Sequence, residues 1–281
     1  MAGLAQTPPF QRTIIVNSGG SPTANGTALL AALSGITTNS SSNPWLLKLE
    51  PGTHDIGSST VTMKDYVDVE GSGRDATLIT SAQPMNGSSA LGAVTVPSGV
   101  HCELRGLTVK NTFSTDQAIG VSISSSGFSL NQVNVVLPAG VSNSFGIYIA
   151  YVAPTLTQIG IQMSSSGGTS QGVYSAFASP VIKDLTVTIQ DTSGVSFSAG
   201  FDLVGGNATL DGITATVSGA AANYGMYIYA NASPLVTRSR FTVTAANNIN
   251  SGAEGIRCYG SNCTLEDLRI SADGGGGGGL T

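Results

Sequence analysis

Apolar and polar residues alternate along most of this chain, and the alternation recurs with a nearly fixed period. Gly followed by an apolar residue appears at Gly120, Gly146, Gly172, Gly200, Gly225 and Gly255, at spacings of 26, 26, 28, 25 and 30 residues. Between these lies a second pattern with apolar residues at its first, fourth and sixth positions. It reads Leu104-Leu107-Val109, Leu130-Val133-Val135, Leu156-Ile159-Ile161, Ile182-Leu185-Val187, Leu210-Ile213-Ala215, Val236-Ser239-Phe241 and Leu265-Leu268-Ile270. Its first positions lie 26, 26, 26, 28, 26 and 29 residues apart. Alternation of period two, rich in Val, Ile, Thr and Tyr, predicts strands, and no 3.6-residue period competes with it. A unit this small cannot bury its own apolar face, so its copies must stack. Strands stacked at a ~4.8 Å step form parallel sheets. The expected fold is all-β: a single-chain parallel β-helix, or solenoid, of about eight to ten turns.

The chain before the repeat reads differently. Residues 1–24 form a lead with a first strand, and Asn25 and Thr27 precede Ala28-Leu29-Leu30-Ala31-Ala32-Leu33 and Ile36. That apolar stripe at helical spacing, behind N-cap residue types, predicts a short helix over 25–36 that caps the end of the stack. The β-helix then occupies 45–273, and 274–281 is a Gly-rich tail. The succession NGTALLAALSGI, WLLKLEPGTHDI and YVDVEGSGRDATLI resembles the start of the pectin-lyase-like right-handed β-helices, in particular their pectinesterase-like branch. The distinctive motifs cover residues 25–80, and the architecture covers nearly the whole chain. The resemblance implies right-handed winding, and an activity on acidic polysaccharides carried by outward carboxylates. The strings that carry catalysis in those relatives, Asn-Thr-Asp, Asp-Asp and Gly-His-Gly, do not occur here. No catalytic residue is therefore transferred.

Composition narrows the partners. Charged residues make up 10% of the chain, against roughly 25% in an average domain. The net charge of −5, with scattered basic residues, excludes nucleic acid and an anionic membrane surface. No apolar run is long enough to span a bilayer. The segment Met1–Phe10 has no basic region followed by an apolar one, so no signal peptide is expected in the chain as given.

Stacking the turns places the residue two after each repeated Gly in an outward column: Ser122, Tyr148, Tyr174, Asp202, Tyr227 and Arg257, with Tyr229 and Tyr259 two residues further on. Aromatic rings at this step suit sugar stacking or a partner chain, and Tyr also suits outward strand positions in general. Asp202 is expected to be solvated, so its replacement by Ala should change stability by no more than about 0.5 kcal/mol. A second column suggests a Lys183–Asp211 ion pair, and beside it Arg238 meets Asp267. Glu70-Gly71-Ser72-Gly73-Arg74-Asp75-Ala76 matches a dinucleotide turn in letters, but Thr77–Thr80 continues as strand, so it is a corner. His54 and His101 lie in separate turns, and no metal or other cofactor is expected. Cys258 and Cys263 flank one corner and fit either a disulfide or two free thiols, while Cys102 lies too far away to pair. The expected function is a non-catalytic extracellular or cell-surface rod acting in structure, adhesion or self-assembly into oligomers or filaments. A polysaccharide-active enzyme with a divergent site and a passive glycan-binding module are the alternatives.

Overall fold

Each repeated Gly stands where a side chain has no room. A Cβ at Gly146 would lie 2.6 Å from the Ile161 side chain and 2.6 Å from the Gly172 carbonyl oxygen; one at Gly172 would meet Val187 at 2.6 Å. The glycines therefore point inward and let the opposite wall close onto the backbone. The apolar residue that follows (Val121, Ile147, Val173, Phe201, Met226 or Ile256) fills the core beside them. The structure, a computed structural model, describes residues 12–85, 90–140, 143–192, 197–246 and 252–273. The Gly-rich tail, 274–281, lies outside them.

The chain winds into a right-handed parallel β-helix, with one helix among the described residues. Its strands form a thirteen-stranded and an eight-stranded sheet. Leu130 pairs in register with Leu104 and Leu156, and Val135 with Val109 and Ile161, so like residues stack into internal ladders. Leu104, Leu130, Leu156, Ile182, Leu210 and Val236 are all fully buried. Ser239 replaces an apolar residue in its ladder; its hydroxyl accepts from the Ile213 amide at 3.1 Å and donates to the Thr237 carbonyl at 2.7 Å.

The third position of the same motif turns the corner. Gly106, Gln132, Gln158, Asp184, Gly212, Arg238 and Asp267 all have φ between 48° and 69°. One left-handed residue swings the strand around the core without breaking the pairing before or after it. The Gly71–Gly73 corner is followed by strand Thr77–Ser81, as the sequence indicates.

The helix spans Pro22–Gly35 rather than 25–36. Ser21 caps it, accepting from the Ala24 amide at 3.2 Å, and Pro22 occupies the first turn, where no amide is needed. Asn25 is instead buried and ties the helix down: its amide donates to the Thr53 carbonyl at 3.0 Å, and its oxygen accepts from Gly20. At the other end Lys64 donates to the Ile36 carbonyl at 2.8 Å. Leu29, Leu33 and Ile36 enter the same core as the strands. No helix among the described residues is long and apolar enough to cross a membrane.

Candidate functional site

The outer face of the eight-stranded sheet carries two columns, not one. Besides the column of Tyr148, Tyr174, Asp202, Tyr227 and Arg257, the residue before each Gly also faces outward, giving Phe145, Gln171, Ala199, Tyr224 and Glu254. In-register pairing runs Tyr148–Tyr174–Asp202–Tyr227–Arg257 across successive turns. The aromatic residues gather into two groups. Tyr148 stacks on Tyr174 with centroids 5.2 Å apart, and Phe145 packs against both. Beyond Asp202, Tyr227 contacts Tyr224 at 5.1 Å, Tyr229 at 4.9 Å and Phe197 at 5.9 Å. The Arg257 guanidinium lies 5.9 Å from the Tyr224 and Tyr227 ring centres, donates to the Tyr224 hydroxyl at 3.1 Å and pairs with Glu254. Tyr259 is 68% exposed and joins no ring contact among the described residues.

Asp202 sits between these groups, and here the sequence expectation needs correcting. The residue stands in the outward column, in register between Tyr174 and Tyr227, but is only 3% exposed. Gln171, also buried, donates from Nε2 to Asp202 Oδ2 at 2.5 Å. Asp202 Oδ1 and Gln171 Oε1 have no hydrogen-bond partner. Burial pushes the Asp202 carboxyl up to about 7, against a smaller lowering by the Gln171 hydrogen bond. Burial also raises the Tyr174 and Tyr229 phenols, Asp202 adding to both, and Tyr229 reaches about 12. A carboxyl that is half protonated near neutrality, with one oxygen unsatisfied, can donate a proton to a ligand or accept one from it. The sequence signal for Gln171, Phe145, Tyr224 and Glu254 was the position before the Gly, which reads as outward only once the Gly itself is known to point inward.

The remaining candidates separate from this face. Asp211 takes Arg238 at 2.5 Å and Thr237 at 2.8 Å, and these bonds hold its carboxyl down at about 2. Arg238 therefore pairs with Asp211 and not with Asp267. Lys183 is in register with Asp211 and contributes only a weaker lowering. The left-handed corner explains this, because it directs Arg238 back toward the preceding turn. His101 contacts Asp65 at 3.1 Å, and His54 is fully buried between the Asn25 and Glu50 carbonyls. No group of three metal-binding side chains occurs among the described residues. Cys258 and Cys263 form a disulfide. Cys102 is free and buried, its thiol pushed up to about 12 by burial. Open hollows of about 240 and 490 Å³ lie on the other sheet, around Asn134, Gly160 and Thr186 and around Arg74, Gln158 and Asp184. They lack the buried, unpartnered groups of the aromatic face, which is why that face is the stronger candidate.

Three solved structures that resemble the chain are pectin methylesterases. The carrot enzyme superposes with a TM-score of 0.66 at 13% identity, over 99% of this chain and 87% of its own. The Aspergillus niger enzyme gives 0.59 at 15%, over 97% and 88%, and the Yersinia enterocolitica enzyme 0.53 at 13%, over 88% and 90%. The fold is that of the pectin-lyase-like β-helices. No protein-family profile matches the chain, and no curated protein matches it in sequence.

Proposed function

We propose that the outer face of the eight-stranded sheet binds a polysaccharide laid across successive turns, with Asp202 exchanging a proton or hydrogen bond with it. The observation that carries this reading is the Asp202 Oδ1 atom, unpartnered and buried between two groups of aromatic rings. Leaving such an oxygen without a partner costs about 1–3 kcal/mol, which a ligand hydroxyl would recover by entering between the two groups of rings. Rings at the turn spacing offer flat apolar faces to sugar rings. The names of the pectin methylesterases supply the ligand class. Binding is favoured over turnover because the next carboxylate on the face, Glu254, lies two turns away, about 10 Å by strand spacing, and is engaged by Arg257. The disulfide suits an oxidising compartment, which supports an extracellular or cell-surface location.

Affinity electrophoresis against neutral and acidic polysaccharides, with parallel assays for methanol and for new reducing or unsaturated ends, tests the reading. Retention without product, weakened about tenfold by Tyr174→Ala and by Asp202→Asn, is expected. Retention by none of the polysaccharides would sink it, and product formation abolished in Asp202→Asn would replace binding with catalysis. A self-associating rod is the second reading. Its support is the stretch 117–182, which contains no Asp, Glu, Lys, Arg or His. Sedimentation over a hundredfold range of concentration decides it, and a strict monomer throughout would exclude it.

A further inference from the structure

At the end of the same sheet the chain turns through a second left-handed ladder. Strand register places Tyr151, Phe177, Gly205, Ala230 and Gly260 above one another, with φ of 60°, 49°, 64°, 59° and 56°. Three of the five turns use Gly or Ala there. Gly adopts this conformation freely, whereas for a bulky side chain it costs roughly 1–2 kcal/mol. Two consecutive turns nevertheless carry aromatic rings, and those rings do not enter the core: Tyr151 is 76% exposed and Phe177 53% exposed. They stack on each other almost in parallel, with centroids 5.6 Å apart and planes at 10°. Phe177 also lies over Gly205, where a Cβ would meet the ring at 2.7 Å, so the next turn leaves space for the ring to lie flat. An exposed, strained and preorganised ring pair points to a use outside folding.

We propose that Tyr151 and Phe177 form a stacking platform for an uncharged pyranose ring, a separate subsite for the polysaccharide held by the sheet face. This rests on the function proposed above and extends it around the corner. The platform is continuous with that face: the Tyr151 phenol adds to the upward shift that burial imposes on Tyr148 and Tyr174. Its surroundings select the occupant. Both residues lie in the 117–182 stretch without charged side chains or His, so the two turns that carry the rings offer a charged group no partner. Exposed, uncharged ring surface matches the apolar face of a neutral sugar.

The test uses the full chain with Tyr151→Gly, Phe177→Gly and the double change, which install the residue found at Gly205 and Gly260. Probes are hydroxyethylcellulose, a galactomannan, and polygalacturonate with its methyl ester, followed by oligosaccharides of increasing length from whichever is retained. The double variant should lose about tenfold in affinity for long chains and less than twofold for disaccharides. Its melting temperature should hold or rise, because the strain is relieved. Unchanged affinity at every length would overturn the subsite, and if Tyr174→Ala still weakened retention about tenfold the sheet-face reading would survive alone. A fall of several degrees in melting temperature with affinity intact would make the pair a packing device. Loss of an oligomer in sedimentation, again with affinity intact, would assign the rings to a second copy of the chain. Retention of no probe by the unmodified protein would remove both proposals.

Discussion

Asp202 shows how one residue acquires its properties from turns distant in sequence. Its column was legible from the Gly spacing, and its neighbours Tyr174 and Tyr227 follow from that spacing alone. Its burial was not legible, because strand alternation gives the direction of a side chain and not how closely the neighbouring turns pack over it. The consequence is a pH-dependent stability with a definite sign. The folded carboxyl titrates near 7 against an ordinary value of 3.8, so the native state prefers the protonated form. That preference is fully present below about pH 4, is lost as the pH rises through 7, and amounts to roughly 4 kcal/mol. Asp202→Asn should therefore raise the melting temperature at pH 8, with the gain shrinking to near zero at pH 4. Thermal denaturation across that range checks it, and a pH-independent difference between the two proteins would show that Asp202 does not titrate as inferred. Gly172→Ala probes the opposite wall. A Cβ there lies 2.6 Å from Val187, and overpacking of this kind costs about 1–3 kcal/mol, measurable by urea denaturation.

Among the elements, the strands were the most legible because their inward residues repeat in chemistry as well as in position. Leu156→Ala or Leu210→Ala removes a fully buried rung of a ladder and should cost about 2–5 kcal/mol. The corners were illegible for the converse reason. Gly106, Gln132, Asp184 and Arg238 share a backbone conformation, and no side-chain property marks it. The helix was found by its apolar stripe, but its start was displaced by three residues because Asn25, an N-cap type, serves as a buried tie to Thr53. Ser21→Ala removes the actual cap and should cost about 1 kcal/mol, whereas a comparable loss at Thr27 is not expected. Thr27 only returns its hydroxyl to the Thr23 carbonyl within the helix.

On the scale of the whole molecule, the decisive property is that neighbouring turns are interchangeable. Leu104, Leu130 and Leu156 stack in register, as do Val121, Ile147 and Val173, and one turn touches chiefly the turns before and after it. Deleting residues 130–155 would bring Leu156 onto Leu104 and Val173 onto Val121 with the corner and Gly positions preserved. The shortened chain is expected to fold, since its stability is approximately a sum over turns and their interfaces. It should keep the β-rich circular dichroism of the parent and melt cooperatively at a lower temperature. Because Gln171, Asp202, Tyr174 and Tyr227 all remain, the Asp202 titration near 7 should survive, read from the pH dependence of melting. The deletion also removes Phe145, Tyr148 and Tyr151, half of the aromatic wall, so polysaccharide retention should weaken while the fold stands. A chain that fails to fold would show that the turns are not equivalent units. A folded chain with undiminished retention would place the ligand on the Tyr227 side of Asp202 alone.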